Sequence, residues 1–159
     1  MGPQGRKPVV LLVDDEPMVT QALSLFLELE SDLEVLTAAS GAEALEKLGT
    51  GPVDVVVSDF LMPGMNGLEV LAEFARRAPE VPRLMLTGYA DKANAIRAIN
   101  EVGLFQYVEK PWDNEDLRII IRNGLEKQEL MQNLREKIQE IEKAYGDLQK
   151  VQQDILRAF

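Results

Sequence analysis

Val9-Val10-Leu11-Leu12-Val13 runs directly into Asp14-Asp15-Glu16, an unbroken apolar run that ends in three acidic residues. A run with no polar alternation reads as a strand buried on both faces of a parallel sheet. Its last residues then deliver carboxylates to the sheet's carboxyl edge. Working outward, four more β-rich runs follow at Leu33–Thr37, Val53–Ser58, Arg83–Thr87 and Leu104–Val108. The third, nearly continuous valine, repeats the fully buried pattern.

Between these runs the apolar spacing is helical. Val19, Ala22, Leu23 and Phe26 share one face of a first helix. Ser40 and Glu43 form a capping box opening a second, which carries Ala44, Leu45 and Leu48. Leu68, Leu71 and Ala75 stripe a third helix, and Ala95, Ile99 and Val102 a fourth. A fifth helix begins near Asp113-Asn114 with no stop signal after it. Five βα units joined by right-handed crossovers predict an α/β fold, a doubly wound (βα)5 sandwich around a five-stranded parallel sheet. Such folds place their sites in the loops at the carboxyl ends of the strands.

From about Leu117 the pattern changes. Leu117, Ile120, Met131, Leu134, Ile138 and Ile141 fall in one heptad register, which Tyr145, Leu148, Ile155 and Phe159 continue. Only Gly124, Lys127 and Gln152 interrupt it. The fifth helix is therefore expected to extend into a parallel two-stranded coiled coil, and the chain to be a homodimer. A long solvated helix packed on its own domain would show a wider and shorter stripe. The expected division is a globular domain at 7–125 and a coiled-coil signalling helix at 126–159.

Composition excludes more than it selects. The 159 residues hold no cysteine and no histidine, so disulfides, imidazole bases and most zinc sites are absent. No apolar stretch reaches the ~20 residues of a membrane span, and the N-terminus lacks a signal peptide, which points to the cytoplasm. A net charge of −10 opposes direct nucleic-acid binding. The chemistry must come from carboxylates, hydroxyls, lysine and backbone.

Those groups collect at one edge. Asp14 and Asp15 end the first strand and Asp59 the third, strands that are neighbours in this fold. Three converging carboxylates repel unless a cation sits among them, and an all-oxygen donor set suits Mg²⁺. Thr87 ends the fourth strand and Lys110 follows the fifth. A hydroxyl and an ammonium facing that cluster can satisfy the oxygens of a phosphoryl group on Asp59. Taken singly, Asp15 could be a helix cap, Thr87 a turn residue and Lys110 a solvated charge. Their joint placement at four strand ends carries the argument.

Four ordered motifs resemble the receiver domains of two-component response regulators: Val13-Asp14-Asp15-Glu16, Ser58-Asp59-Phe60-Leu61-Met62-Pro63-Gly64-Met65-Asn66-Gly67, Leu86-Thr87-Gly88-Tyr89 and Tyr107-Val108-Glu109-Lys110-Pro111. The resemblance spans roughly Lys7 to Lys127. It implies that Asp59 is the phosphoacceptor, Asp15 a direct Mg²⁺ ligand, Asp14 a ligand through water, and the Leu61 backbone carbonyl a further ligand. It implies that Thr87 moves to the phosphate, that Lys110 pairs with it, that Tyr107 is the aromatic switch, and that the Lys110–Pro111 bond is cis. The implied partners are a histidine kinase or phosphotransfer protein. Leu61 and Tyr89, each two residues past a site residue, orient an attacking water poorly, so a long-lived phospho-state is expected.

Three other readings compete. A haloacid-dehalogenase-like phosphatase needs a second carboxylate where Leu61 stands. A dinucleotide-binding domain needs a glycine-rich turn where this chain has Asp-Asp-Glu-Pro. A phosphate-independent pseudo-receiver scaffold remains as the structural alternative, although every expected site residue is present. The sequence ends inside a heptad, which suggests a C-terminal output domain beyond it. Lys110-Pro111-Trp112-Asp113 before a long helix resembles regulators with HD-GYP-type phosphodiesterase outputs, and the linker also resembles those preceding kinases or cyclases.

Overall fold

Strands and helices alternate along the chain: β1 (Val9–Val13), α1 (Pro17–Glu30), β2 (Glu34–Ala38), α2 (Gly41–Thr50), β3 (Val55–Asp59), α3 (Gly67–Arg77), β4 (Arg83–Thr87), α4 (Lys92–Glu101), β5 (Gln106–Glu109) and α5 (Asn114–Ala158). The computed structural model describes residues 5–30 and 32–158. The heptad residue Phe159 lies outside them. All strand pairs are parallel, in the order β2-β1-β3-β4-β5. The doubly wound five-stranded architecture expected from the sequence is the observed one.

Every residue of β1 and β3 is buried, which is why β1 and residues 55–57 of β3 are continuously apolar, while Ser58 and Asp59 are buried polar residues at the β3 end. Alternate side chains feed two cores. Val10, Leu12, Val55 and Val57 pack with Leu23 and Leu27 of α1 and Leu117 and Ile121 of α5. Leu11, Val13, Val56 and Met85 pack on the other face with Ala44, Val70, Phe74 and Ala95 of α2, α3 and α4.

The structure corrects several details. On α1, Ala22 is exposed, and Thr20 and Leu27 are buried beside Leu23. On α3 the buried stripe is Val70, Leu71 and Phe74, with Leu68 only partly covered. Ile99 of α4 is exposed, leaving Ala95 as that helix's fully buried apolar contact among the described residues. The capping box at α2 is half formed: Ser40 accepts from the Glu43 amide at 3.2 Å, but the Glu43 carboxylate accepts from Ala39, not Ser40. β2 and β5 begin later than expected, at Glu34 and Gln106.

The chain divides into two compact units, residues 1–128 and 129–159, with α5 belonging to both. Two of the three residues that interrupt the heptads have work in the first unit. A side chain on Gly124 would press on Pro82 Cβ at 3.3 Å, and the Lys127 ammonium lies 5.5 Å from the Phe105 ring centre. Leu117 and Gly124 are buried there too, so these seam positions belong to the domain's own core. No helix among the described residues is long and apolar enough to cross a membrane.

Candidate functional site

Register brings the strand ends together. Val13 pairs with Ser58, so Asp14 and Asp59 follow side by side on β1 and β3. Asp59 pairs with Leu86, which sets Thr87 one step beyond it, and Thr87 pairs with Glu109 just before Lys110. Backbone bonds lock these ends: Phe60 N–H donates to Leu86 O at 3.0 Å, and Lys110 N–H to Thr87 O at 2.7 Å. The Lys110–Pro111 bond is cis.

One carboxylate oxygen from each of Asp14, Asp15 and Asp59 lies within 4.8 Å of the other two. Asp14 and Asp59 are buried and Asp15 is exposed. Lys110 Nζ sits 2.8 Å from Asp59 Oδ1, so one lysine offsets part of a three-carboxylate cluster. Asp14 Oδ1 accepts from the Glu16 amide at 2.9 Å, while its Oδ2 is buried with no hydrogen-bond partner. Burial, and then the Asp59 charge, push the Asp14 carboxyl above its ordinary range, against the pull of the Glu16 amide and Lys110. A buried, unpartnered oxygen in an all-oxygen set fits a hard divalent cation.

Thr87 is fully buried and its Oγ1 also lacks a partner. A buried hydroxyl without a bond costs stability. Tyr107 on β5 is half-buried against the α2–α4 core. Leu61 exposes its side chain in the loop after β3. The Tyr89 side chain lies outside the described residues.

Three contributors had no role assigned from the sequence, although Asn66 and Gly67 close its second motif. A Cβ on Gly67 would overlap the Asp59 carbonyl oxygen and lie 2.9 Å from Phe60 Cα, so only glycine lets α3 start this close to the site. Asn66 caps α3 in a complete capping box with Glu69, a pattern visible as Asn-x-x-Glu. At the opposite edge, Asp54 takes both Arg6 (Nη1 at 2.5 Å, Nη2 at 3.0 Å) and the Val9 amide (2.7 Å), tying β1 to β3.

The family description "Response regulator receiver domain" matches residues 10–122. The chain belongs to the response-regulator receiver family. It is 38% identical over 125 residues to the hydrogenase transcriptional regulatory protein HoxA of Cupriavidus necator, covering 79% of this chain and 26% of HoxA. It thus spans about a quarter of that regulator's length. A solved structure titled adenylate cyclase from Rhodopirellula baltica is 33% identical, with a TM-score of 0.79 over 84% of this chain and 98% of that one. The signal receiver domain of an HD domain-containing protein from Pseudomonas fluorescens is 34% identical, with a TM-score of 0.74 over 78% and 98%. A two-component receiver is a regulatory phosphoacceptor, and the strand-end cluster is where this one carries its chemistry-bearing residues.

Proposed function

We propose that Asp59 receives a phosphoryl group from a cytosolic histidine kinase or phosphotransfer protein. The observation that carries this reading is the buried Asp59 carboxylate, paired with Lys110 at 2.8 Å inside a three-carboxylate cluster. An oxygen of Asp59 forms the new P–O bond as the bond from phosphorus to the donor's imidazole nitrogen breaks, and that nitrogen keeps the electron pair. Asp14, Asp15, Asp59 and the Leu61 carbonyl would hold Mg²⁺, which when bound supplies countercharge to the phosphoryl oxygens. Lys110 is a charged donor to the same oxygens, and the unpartnered Thr87 hydroxyl is free to turn toward them.

Thr87 moving to the phosphate opens space for Tyr107, which passes the change to the face of α4, β5 and α5. The reading divides the chain into a receiver at 7–125 and a signalling helix at 126–159 that relays the state to a C-terminal output domain. The relatives' far greater length supports that last part. Incubation with acetyl phosphate and Mg²⁺ should add one phosphoryl mass, and Asp59→Asn should abolish it. A variant that still gains the mass at the normal rate refutes the assignment. A wild-type chain that gains none favours the scaffold reading, for which no residue of the site argues.

A further inference from the structure

Ten large apolar side chains between Leu130 and Leu156 are 44–70% exposed on α5. With Met131 taken as heptad position a, nine of them fall into three columns rather than two, and Leu156 stands apart at position e. Column d holds Leu134, Ile141, Leu148 and Ile155. Column a, on one side of it, holds Met131, Ile138, Tyr145 and Gln152. Column g, on the other side, holds Leu130, Lys137, Ala144 and Val151. Both a with d, and d with g, recur in alternating steps of three and four, so each pair of columns is a complete coiled-coil seam.

We propose that residues 130–156 pair in parallel with the same segment of a second copy, and that this pair holds two alternative seams sharing column d. The occupant is a second copy because the charges fit one. In the a/d seam Lys137 at g meets Glu142 at e of the partner, twice by symmetry. Antiparallel pairing centred on the segment would instead bring the two copies of Glu142 together. Each seam has one polar member, and they lie at opposite ends: Gln152 in a/d and Lys137 in d/g. Neither seam is therefore favoured along its whole length. Passing from one to the other needs a rotation of each helix by about 50°, half the 100° between neighbouring residues.

The chain has no native cysteine, so single cysteines report the seams directly. In the full chain, Leu134→Cys and Leu148→Cys should both form interchain disulfides. Two self-pairing positions 14 residues apart exclude an antiparallel pair. Tyr145→Cys and Ala144→Cys should both crosslink well above Glu142→Cys, which faces away from the d/g seam and flanks the a/d seam. Their yields should lie within about tenfold of each other, as for states differing by no more than ~1.4 kcal/mol. Adding Gln152→Leu should raise the yield at 145 and lower it at 144, and adding Lys137→Leu should do the reverse. Failure at 134 or 148 overturns parallel pairing. Crosslinking at only one of 144 and 145, or yields indifferent to both leucine substitutions, overturns the second seam. None of these readouts depends on phosphorylation, so they stand apart from the test of Asp59.

Discussion

Asp14 and Thr87 are buried polar residues with an atom that no described group satisfies, and both stand at the site. Each should therefore lower the stability of the resting protein. For Asp14 the charged form is the one disfavoured, by burial and by Asp59. An acid raised this way costs stability once pH passes its unfolded value, and the cost is complete above its folded one. At neutral pH and in chelator, Asp14→Asn should melt higher than wild type, and added Mg²⁺ should raise its melting temperature less than it raises wild type's. A lower melting temperature in chelator would show that the Glu16 amide bond outweighs the repulsion. For Thr87 the unmet hydroxyl costs about 1–3 kcal/mol. Thr87→Val keeps the bulk and removes the hydroxyl, so its urea midpoint should rise while its phosphorylated form no longer alters the α4–β5–α5 face. A lower midpoint would mean the hydroxyl is already well satisfied.

Two glycines separate the demands of packing from those of propensity. Gly67 opens α3 against the backbone of Asp59 and Phe60, which cannot give way, so Gly67→Ala should cost at least the roughly 1–3 kcal/mol of an overpacked site. Gly146 has nothing within 4 Å of a Cβ and lies inside α5, so Gly146→Ala should stabilise the helix by about 1 kcal/mol. Urea unfolding followed by far-ultraviolet circular dichroism reads both, and equal effects of one sign would contradict the contrast. Legibility follows the same division. β1 and β4 were readable to the residue because apolar runs with clear ends specify them. β2 and β5 are edge strands of mixed exposure, and pairing with β1 and β4 sets their ends more than their own pattern does. Val53 and Asp54 look like strand, but Asp54 is spent on Arg6 and the Val9 amide. The candidate site was legible because topology sends every strand end to one edge. Gly67 stands in a quoted motif, but its close approach to the Asp59 and Phe60 backbone was not legible, because such a contact leaves no mark in composition.

Charge is divided unevenly along the whole molecule. Residues 129–159 hold six acidic and five basic side chains, so residues 1–128 keep 21 of the 27 acidic and 12 of the 17 basic, a net −9. Parallel pairing joins two helices at their N-terminal ends, and each of those ends is covalently continuous with a receiver carrying that charge. An antiparallel pair puts the same ends apart by the length of the paired segment, about 45 Å for 30 residues at 1.5 Å each. Repulsion between the two receivers then decides how salt acts. The screening length falls from about 30 Å at 0.01 M to about 8 Å at 0.15 M. Raising salt over that range should tighten a parallel dimer, because it removes receiver–receiver repulsion while the near-neutral seam is held by apolar contact. The exposed Lys137–Glu142 pairs weaken in parallel, but at roughly 0–1 kcal/mol each they are the smaller effect. Sedimentation equilibrium of the full chain at the two ionic strengths measures this. A chain ending at Gln128 should stay monomeric in both at tens of micromolar. Dimerisation that weakens with salt, or that survives removal of residues 129–159, would contradict parallel pairing through this helix.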